Sequence, residues 1–121
     1  MANRKILIVD DTTAELVNLK TIVSAADCTV VTATSGKEAV AKAKSEKPGL
    51  IFMDIVMSDM DGYNACRDIL NDPETKDIPI VFVSSKHQKA DRIWAQKQGG
   101  RALITKPYTP EQILEQIKAY C

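Results

Sequence analysis

Leu50-Ile51-Phe52-Met53-Asp54-Ile55-Val56-Met57 decides the fold. This apolar run, with β-branched and aromatic members, is bounded by Pro48-Gly49 before and Asp61-Gly62 after, and reads as a fully buried strand. A strand buried on both faces belongs to a parallel sheet covered by helices. A carboxylate at the end of such a strand is expensive to leave unpaired, so Asp54 needs a cation or a chemical role. Ligands of open parallel α/β sheets bind beyond the carboxyl ends of the strands, which makes Asp54 the first candidate for the working residue.

Outward from that strand the chain alternates. Toward the N-terminus, Ser35-Gly36-Lys37-Glu38 has capping-box spacing and opens a helix of small residues, Ala39 to Lys44, closed by Pro48-Gly49. Before it, Cys28 to Thr34 is β-branched and reads as a strand. Lys5 to Val9 is a short buried strand that stops at Asp10-Asp11, and Thr12-x-x-Glu15 then caps a helix with Leu16, Leu19, Ile22, Val23 and Ala26 at helical period. Toward the C-terminus, a helix after Asp61-Gly62 carries Ala65, Cys66, Ile69 and Leu70 inward and stops at Asn71-Asp72-Pro73. Ile78 to Val83 reads as a fourth strand with Pro79 at its start, where a missing N–H matters least. Ser85-x-x-Gln88 can cap a helix bearing Ala90, Ile93, Trp94 and Lys97, with Gly99-Gly100 as its C-cap. Ala102 to Ile104 is a brief fifth strand. Thr109-Pro110-Glu111-Gln112 places cap, N1 proline and N3 glutamine for a last helix with Ile113, Leu114, Ile117 and Tyr120 inward. Five strands alternating with five helices predict one doubly wound α/β domain over residues 1–121.

Composition narrows the function. The 16 basic and 16 acidic residues of this 121-residue chain balance, so no overall pull toward nucleic acid or anionic membrane is expected. No apolar run is long enough to span a bilayer or to serve as a signal peptide, so a cytoplasmic location with no membrane insertion is expected. Cys28, Cys66 and Cys121 have no metal-ligand spacing and suit a reducing compartment as small apolar side chains.

In the predicted sheet the strand ends converge on one edge. Asp10 and Asp11 follow the first strand, Asp54 ends the third, Ser84 follows the fourth and Lys106 the fifth. Three neighbouring carboxylates raise one another's pKa unless a cation intervenes. The donors are oxygens only, so a hard ion such as Mg2+ fits best. A hydroxyl and an ammonium facing the same spot would stabilise a phosphoryl group moving onto a carboxylate.

Val9-Asp10-Asp11, Met53 to Gly62, Val83-Ser84-Ser85 and Thr105-Lys106-Pro107-Tyr108 together resemble the receiver domains of two-component response regulators, in order and across the chain. The resemblance implies a flavodoxin-like, CheY-like fold with strand order 2-1-3-4-5. It implies Asp54 as the phosphoacceptor served by a histidine kinase, and Asp11 as a direct Mg2+ ligand. Asp10 would support that ligand and the Val56 carbonyl would complete the shell. Ser84 and Lys106 would each hold a phosphoryl oxygen, across a cis Lys106-Pro107 bond. With no DNA-binding segment attached, the chain resembles a stand-alone receiver that switches binding to a partner protein, through the face of the fourth helix, fifth strand and fifth helix. Asp91 to Arg101, with Trp94 on its helix, is similar to PilH-type regulators of twitching motility.

Three positions depart from the family pattern. Ser58 replaces the usual proline after the acceptor, Ser85 the usual alanine, and Leu103 the frequent aromatic switch residue. Switching is therefore expected to involve Leu103, Trp94 and Tyr108 differently from the aromatic-rotamer scheme. Val56 and Lys86, two residues past Asp54 and Ser84, are placed to set the lifetime of the phosphoryl group. His87 reads as an exposed helix-start residue. The alternatives are a non-phosphorylated pseudo-receiver and a haloacid-dehalogenase-type phosphatase, although the latter generally carries D-x-D at its first strand and adds a cap domain.

Overall fold

The computed structural model describes residues 4–57, 60–85 and 89–121. Strands β1 (Lys5–Val9), β2 (Thr29–Ala33), β3 (Leu50–Asp54), β4 (Ile80–Ser84) and β5 (Ala102–Thr105) form one parallel sheet in the order β2-β1-β3-β4-β5. Helices α1 (Thr13–Ser24), α2 (Gly36–Glu46), α3 (Gly62–Asn71), α4 (Lys89–Lys97) and α5 (Pro110–Tyr120) alternate with the strands. Successive strand residues point to opposite faces. Ile6, Ile8, Leu50, Phe52, Val81 and Val83 pack with Leu19 and Val23 of α1 and Ile113 and Ile117 of α5. Leu7, Val9, Ile51, Met53 and Phe82 pack with Ala39 and Ala43 of α2, Ala65, Cys66 and Ile69 of α3 and Ala95 of α4. The predicted doubly wound architecture and strand order are therefore the observed ones.

Several local expectations are corrected. The central strand ends at Asp54, as expected, and the rest of the apolar run, Ile55 to Met57, leaves the sheet: Gly62 N donates to Ile55 O at 2.7 Å, and the Ile55 and Val56 amides serve the Asp54 carboxylate. β2 is shorter than Cys28 to Thr34 by a residue at each end. β4 begins after Pro79, whose carbonyl accepts from Ile51 N at 3.0 Å. Thr12 is the N-cap of α1 but makes no side-chain cap hydrogen bond. On α2 only half of the expected box forms: Ser35 Oγ accepts from Glu38 N, while Glu38 Oε1 accepts from Thr34 N, one residue further back. Lys47, at φ 46°, caps the C-terminus of α2 ahead of Pro48-Gly49.

Helix α4 departs most. Ala90, Ile93, Trp94 and Lys97 face solvent, and among the helix residues whose burial is described the buried one is Ala95. The face turned inward carries half-buried Asp91 and Gln98, polar residues that hide it from an apolar-period reading. Gln98 Oε1 accepts from Arg67 Nη1 at 3.2 Å, which gives that polar face a partner on α3. Gly99 closes the helix at φ 96°, a conformation costly for other residues. On α5, Ile113 and Ile117 point inward as expected, but Leu114 is 39% exposed. The α5 capping box is complete, with Thr109 and Gln112 bonding reciprocally. Replacing Thr109 by alanine should lower stability by about 1 kcal/mol, read as a lower denaturant midpoint at unchanged slope. An unchanged midpoint would mean that the cap contributes nothing.

Candidate functional site

The winding direction reverses at β1, which has β2 on one side and β3 on the other, so a crevice opens beyond the carboxyl ends of β1 and β3. Asp10 and Asp11 leave β1 there, and Asp54 is the last residue of β3. One carboxylate oxygen from each of the three lies within 4.8 Å of the others. Asp10 and Asp54 are buried, while Asp11 is exposed at the rim. Asp10 is fixed by its backbone, donating to Ala33 O at 3.1 Å, and by its side chain, whose Oδ1 accepts from Thr12 N at 2.9 Å. Lys106 follows β5, its amide donates to Ser84 O at 2.8 Å, and the Lys106-Pro107 bond is cis. Its Nζ stands 3.0 Å from Asp10 Oδ2 and 3.9 Å from Asp54 Oδ2. Ser84, only 1% exposed, ends β4 beside them. All five residues singled out from the sequence thus converge on one edge of the sheet.

Burial pushes the Asp54 carboxyl up to about 6; the Lys106 charge and the Ile55 and Val56 amides oppose this, and Asp10 reinforces it. Burial is therefore a larger cause than the carboxylate repulsion inferred from sequence. For Lys106, burial disfavours the ammonium, but the Asp10 hydrogen bond and the Asp54, Asp10 and Glu15 charges prevail and raise its pKa. Three carboxylates around one lysine leave an excess of negative charge. The donors are all oxygens and Asp11 is open to solvent, a set that fits a hard divalent cation such as Mg2+.

The family profile described as the response regulator receiver domain matches residues 6–118. The chain belongs to this receiver family. It is 39% identical over 115 residues to protein PilH of Pseudomonas aeruginosa, covering 95% of each chain. It is 34% identical over 116 residues to protein PilG of the same organism, covering 96% of this chain and 86% of that one. Its fold superposes on chemotaxis protein CheY4 of Vibrio cholerae with a TM-score of 0.91 at 25% identity, covering 99% of this chain and all of the other.

Of the other candidate residues of this receiver, Val56 and Tyr108 adjoin Asp54 and Lys106, while Leu103 lies on β5 and Trp94 on α4. Leu103 is 8% exposed, and its carbonyl accepts from Arg92 Nη1 at 3.3 Å. Together with Arg92, Ala95, Gly100, Arg101 and Gln116 it lines a cleft of about 380 Å³ between α4, β5 and α5. Trp94 is 49% exposed on α4, its ring edge-on to that of Tyr63 with 6.3 Å between centroids. Tyr108 turns toward α1, where its hydroxyl accepts from Asn18 Nδ2 at 3.3 Å. The Val56 side chain projects into solvent two residues past Asp54. Ser58, Lys86 and His87 lie outside the described residues.

Two residues at the site escaped sequence reasoning. Glu15, assigned there to a cap, has Oε2 3.8 Å from Lys106 Nζ. Asn18, three residues on, holds Tyr108. Their signal was the 3.6-residue period itself, which puts residues 15 and 18 of α1 on one face near the Asp10-Asp11 end.

Proposed function

We propose that this receiver takes a phosphoryl group from a histidine kinase onto Asp54 and thereby switches its binding to a partner protein. The observation that carries this reading is the placement of the Lys106 ammonium between Asp10 and Asp54, with a third carboxylate beside them. An ionised Asp54 oxygen attacks phosphorus, one P–O bond forms, and the donor's P–N bond breaks as the histidine leaves. Lys106 and Ser84 each hold a phosphoryl oxygen as charge redistributes. Asp11, Asp54 and the Val56 carbonyl would hold Mg2+, with Asp10 in support. When bound, the ion neutralises charge on the transferring group. Water later cleaves the acyl phosphate, restoring Asp54 and releasing phosphate. The side chains of Val56 and Lys86 are assigned to the lifetime between those events. The protein is a switch, catalysing only its own phosphorylation and its reversal.

Metal linkage tests the ligand assignment. At a tenfold excess over its Kd, Mg2+ should add about 1.4 kcal/mol of stability, roughly 5 °C in Tm. Asp11→Ala should show a smaller rise. Equal rises in both proteins would remove Asp11 from the ligand set.

Output is assigned to the α4–β5–α5 face, and the similarity to PilH and PilG favours a role in twitching motility within the cytoplasm. Leucine at position 103 has no polar handle and is already buried, so switching there relies on backbone shifts after Ser84 rather than on a turning ring. Leu103→Tyr should weaken partner binding by less than tenfold, about 1.4 kcal/mol. A larger loss in a pull-down or titration with the phosphorylated protein would make Leu103 the switch itself.

A further inference from the structure

Thr12 and Glu15 have the spacing of a capping box, yet no capping box forms, and the reason bears on the site. The Thr12 amide, which the Glu15 carboxylate would accept from in such a box, donates instead to Asp10 Oδ1 at 2.9 Å. Released from that task, Glu15 reaches Lys106, beside a cavity of about 390 Å³ lined by Glu15, Asn18, Ser85, Lys106, Pro107 and Tyr108. Lys106 Nζ makes a hydrogen bond to Asp10 Oδ2 at 3.0 Å. It then stands almost equally far from two other carboxylates, 3.8 Å from Glu15 Oε2 and 3.9 Å from Asp54 Oδ2.

From this geometry we infer that Glu15 is a positioning residue that holds Lys106 back from Asp54 and so brakes phosphoryl acceptance. The inference rests on Asp54 being the phosphoacceptor. Asp10 is the anchor about which the ammonium pivots, and Glu15 and Asp54 compete for it. A phosphoryl group on Asp54 adds negative charge on one side of that competition, and Lys106 must swing away from Glu15 to meet it. Glu15 therefore stabilises the unphosphorylated arrangement selectively, and a group that favours one of two states shifts the balance toward it. Because the Glu15 side chain is 41% exposed, water screens the pair and the brake is modest. A purely structural role, an acid in the first turn of α1 favouring the helix dipole, would leave Asp54 chemistry untouched.

The test is a titration of wild type, Glu15→Gln and Glu15→Asp with beryllofluoride and Mg2+, followed by amide NMR, alongside rates of labelling by acetyl phosphate. Glu15→Gln should bind beryllofluoride about three- to fivefold more tightly and label faster by a similar factor, the size expected of a screened ion pair. Glu15→Asp, which keeps the charge, should return toward wild type. In metal-free Glu15→Gln the Lys106 ε-methylene signals should also move, a change that a helix-dipole role does not produce. Wild-type affinity and rate in Glu15→Gln, with Lys106 signals unmoved, would overturn the positioning role. A wild-type protein that takes up neither beryllofluoride nor phosphoryl would instead overturn the phosphoacceptor reading beneath it.

Discussion

Asp54→Asn should abolish phosphoryl acceptance and, in the absence of divalent metal, make the protein more stable at neutral pH. Folding moves the Asp54 carboxyl from 3.8 to about 6, with burial the largest cause. The folded chain thus keeps a proton on Asp54 over a pH window in which the unfolded chain has released it. The folded state binds more protons there, so stability falls as pH rises from 3.8 to about 6, and the loss is complete above that window. A shift of this size corresponds to about 3 kcal/mol at most. Asparagine keeps an oxygen for the Ile55 and Val56 amides and carries no charge, but it places an amide near Lys106. The net gain should therefore be about 2 kcal/mol, roughly 5–10 °C in Tm. The difference between mutant and wild type should be small at pH 4 and reach full size by about pH 7. A mutant less stable than wild type at neutral pH without metal would contradict this account.

Gly62→Ala should damage the site from behind. A Cβ at Gly62 would overlap the Asp54 carbonyl oxygen and approach both the Asp54 carbonyl carbon and Ile55 Cα to 3.0 Å. These are backbone atoms with no flexible end to yield, and Gly62 N is already bonded to Ile55 O at 2.7 Å. Relief requires the start of α3 to withdraw from β3, displacing the turn whose amides hold the Asp54 carboxylate. Overpacking of this kind should lower stability by about 3 kcal/mol, roughly 10 °C or more in Tm. The Mg2+-dependent rise in Tm should shrink in the same variant. Wild-type melting with a normal response to Mg2+ would show that the turn accommodates a methyl group without moving the site.

The fold was legible because its strands are short apolar or β-branched runs, and the helices between them carry caps and apolar residues at a 3.6-residue period along most of the chain. The five-residue site was legible because each member sits at a strand end, and parallel topology alone gathers strand ends on one edge. What stayed hidden depended on competition between groups. Thr12 and Glu15 have capping-box spacing, and nothing in that spacing announces that Asp10 takes the Thr12 amide first. Helix α4 was misread because Asp91 and Gln98 occupy its inward face while Ile93 and Trp94 look outward, the reverse of the usual distribution. That Ile55 to Met57, still apolar, leave the sheet after Asp54 follows from capture of the Ile55 and Val56 amides by the Asp54 carboxylate, which a sequence pattern does not display.

The most direct test of the central claim is peptide mass spectrometry after incubating the protein with acetyl phosphate and Mg2+. The account predicts one added phosphoryl group, located on Asp54, not formed when the metal is omitted and missing in Asp54→Asn. Lys106→Ala should reduce the labelled fraction while leaving the site of labelling unchanged. Absence of any added phosphoryl group, or its stable attachment to a residue other than Asp54, would contradict the account.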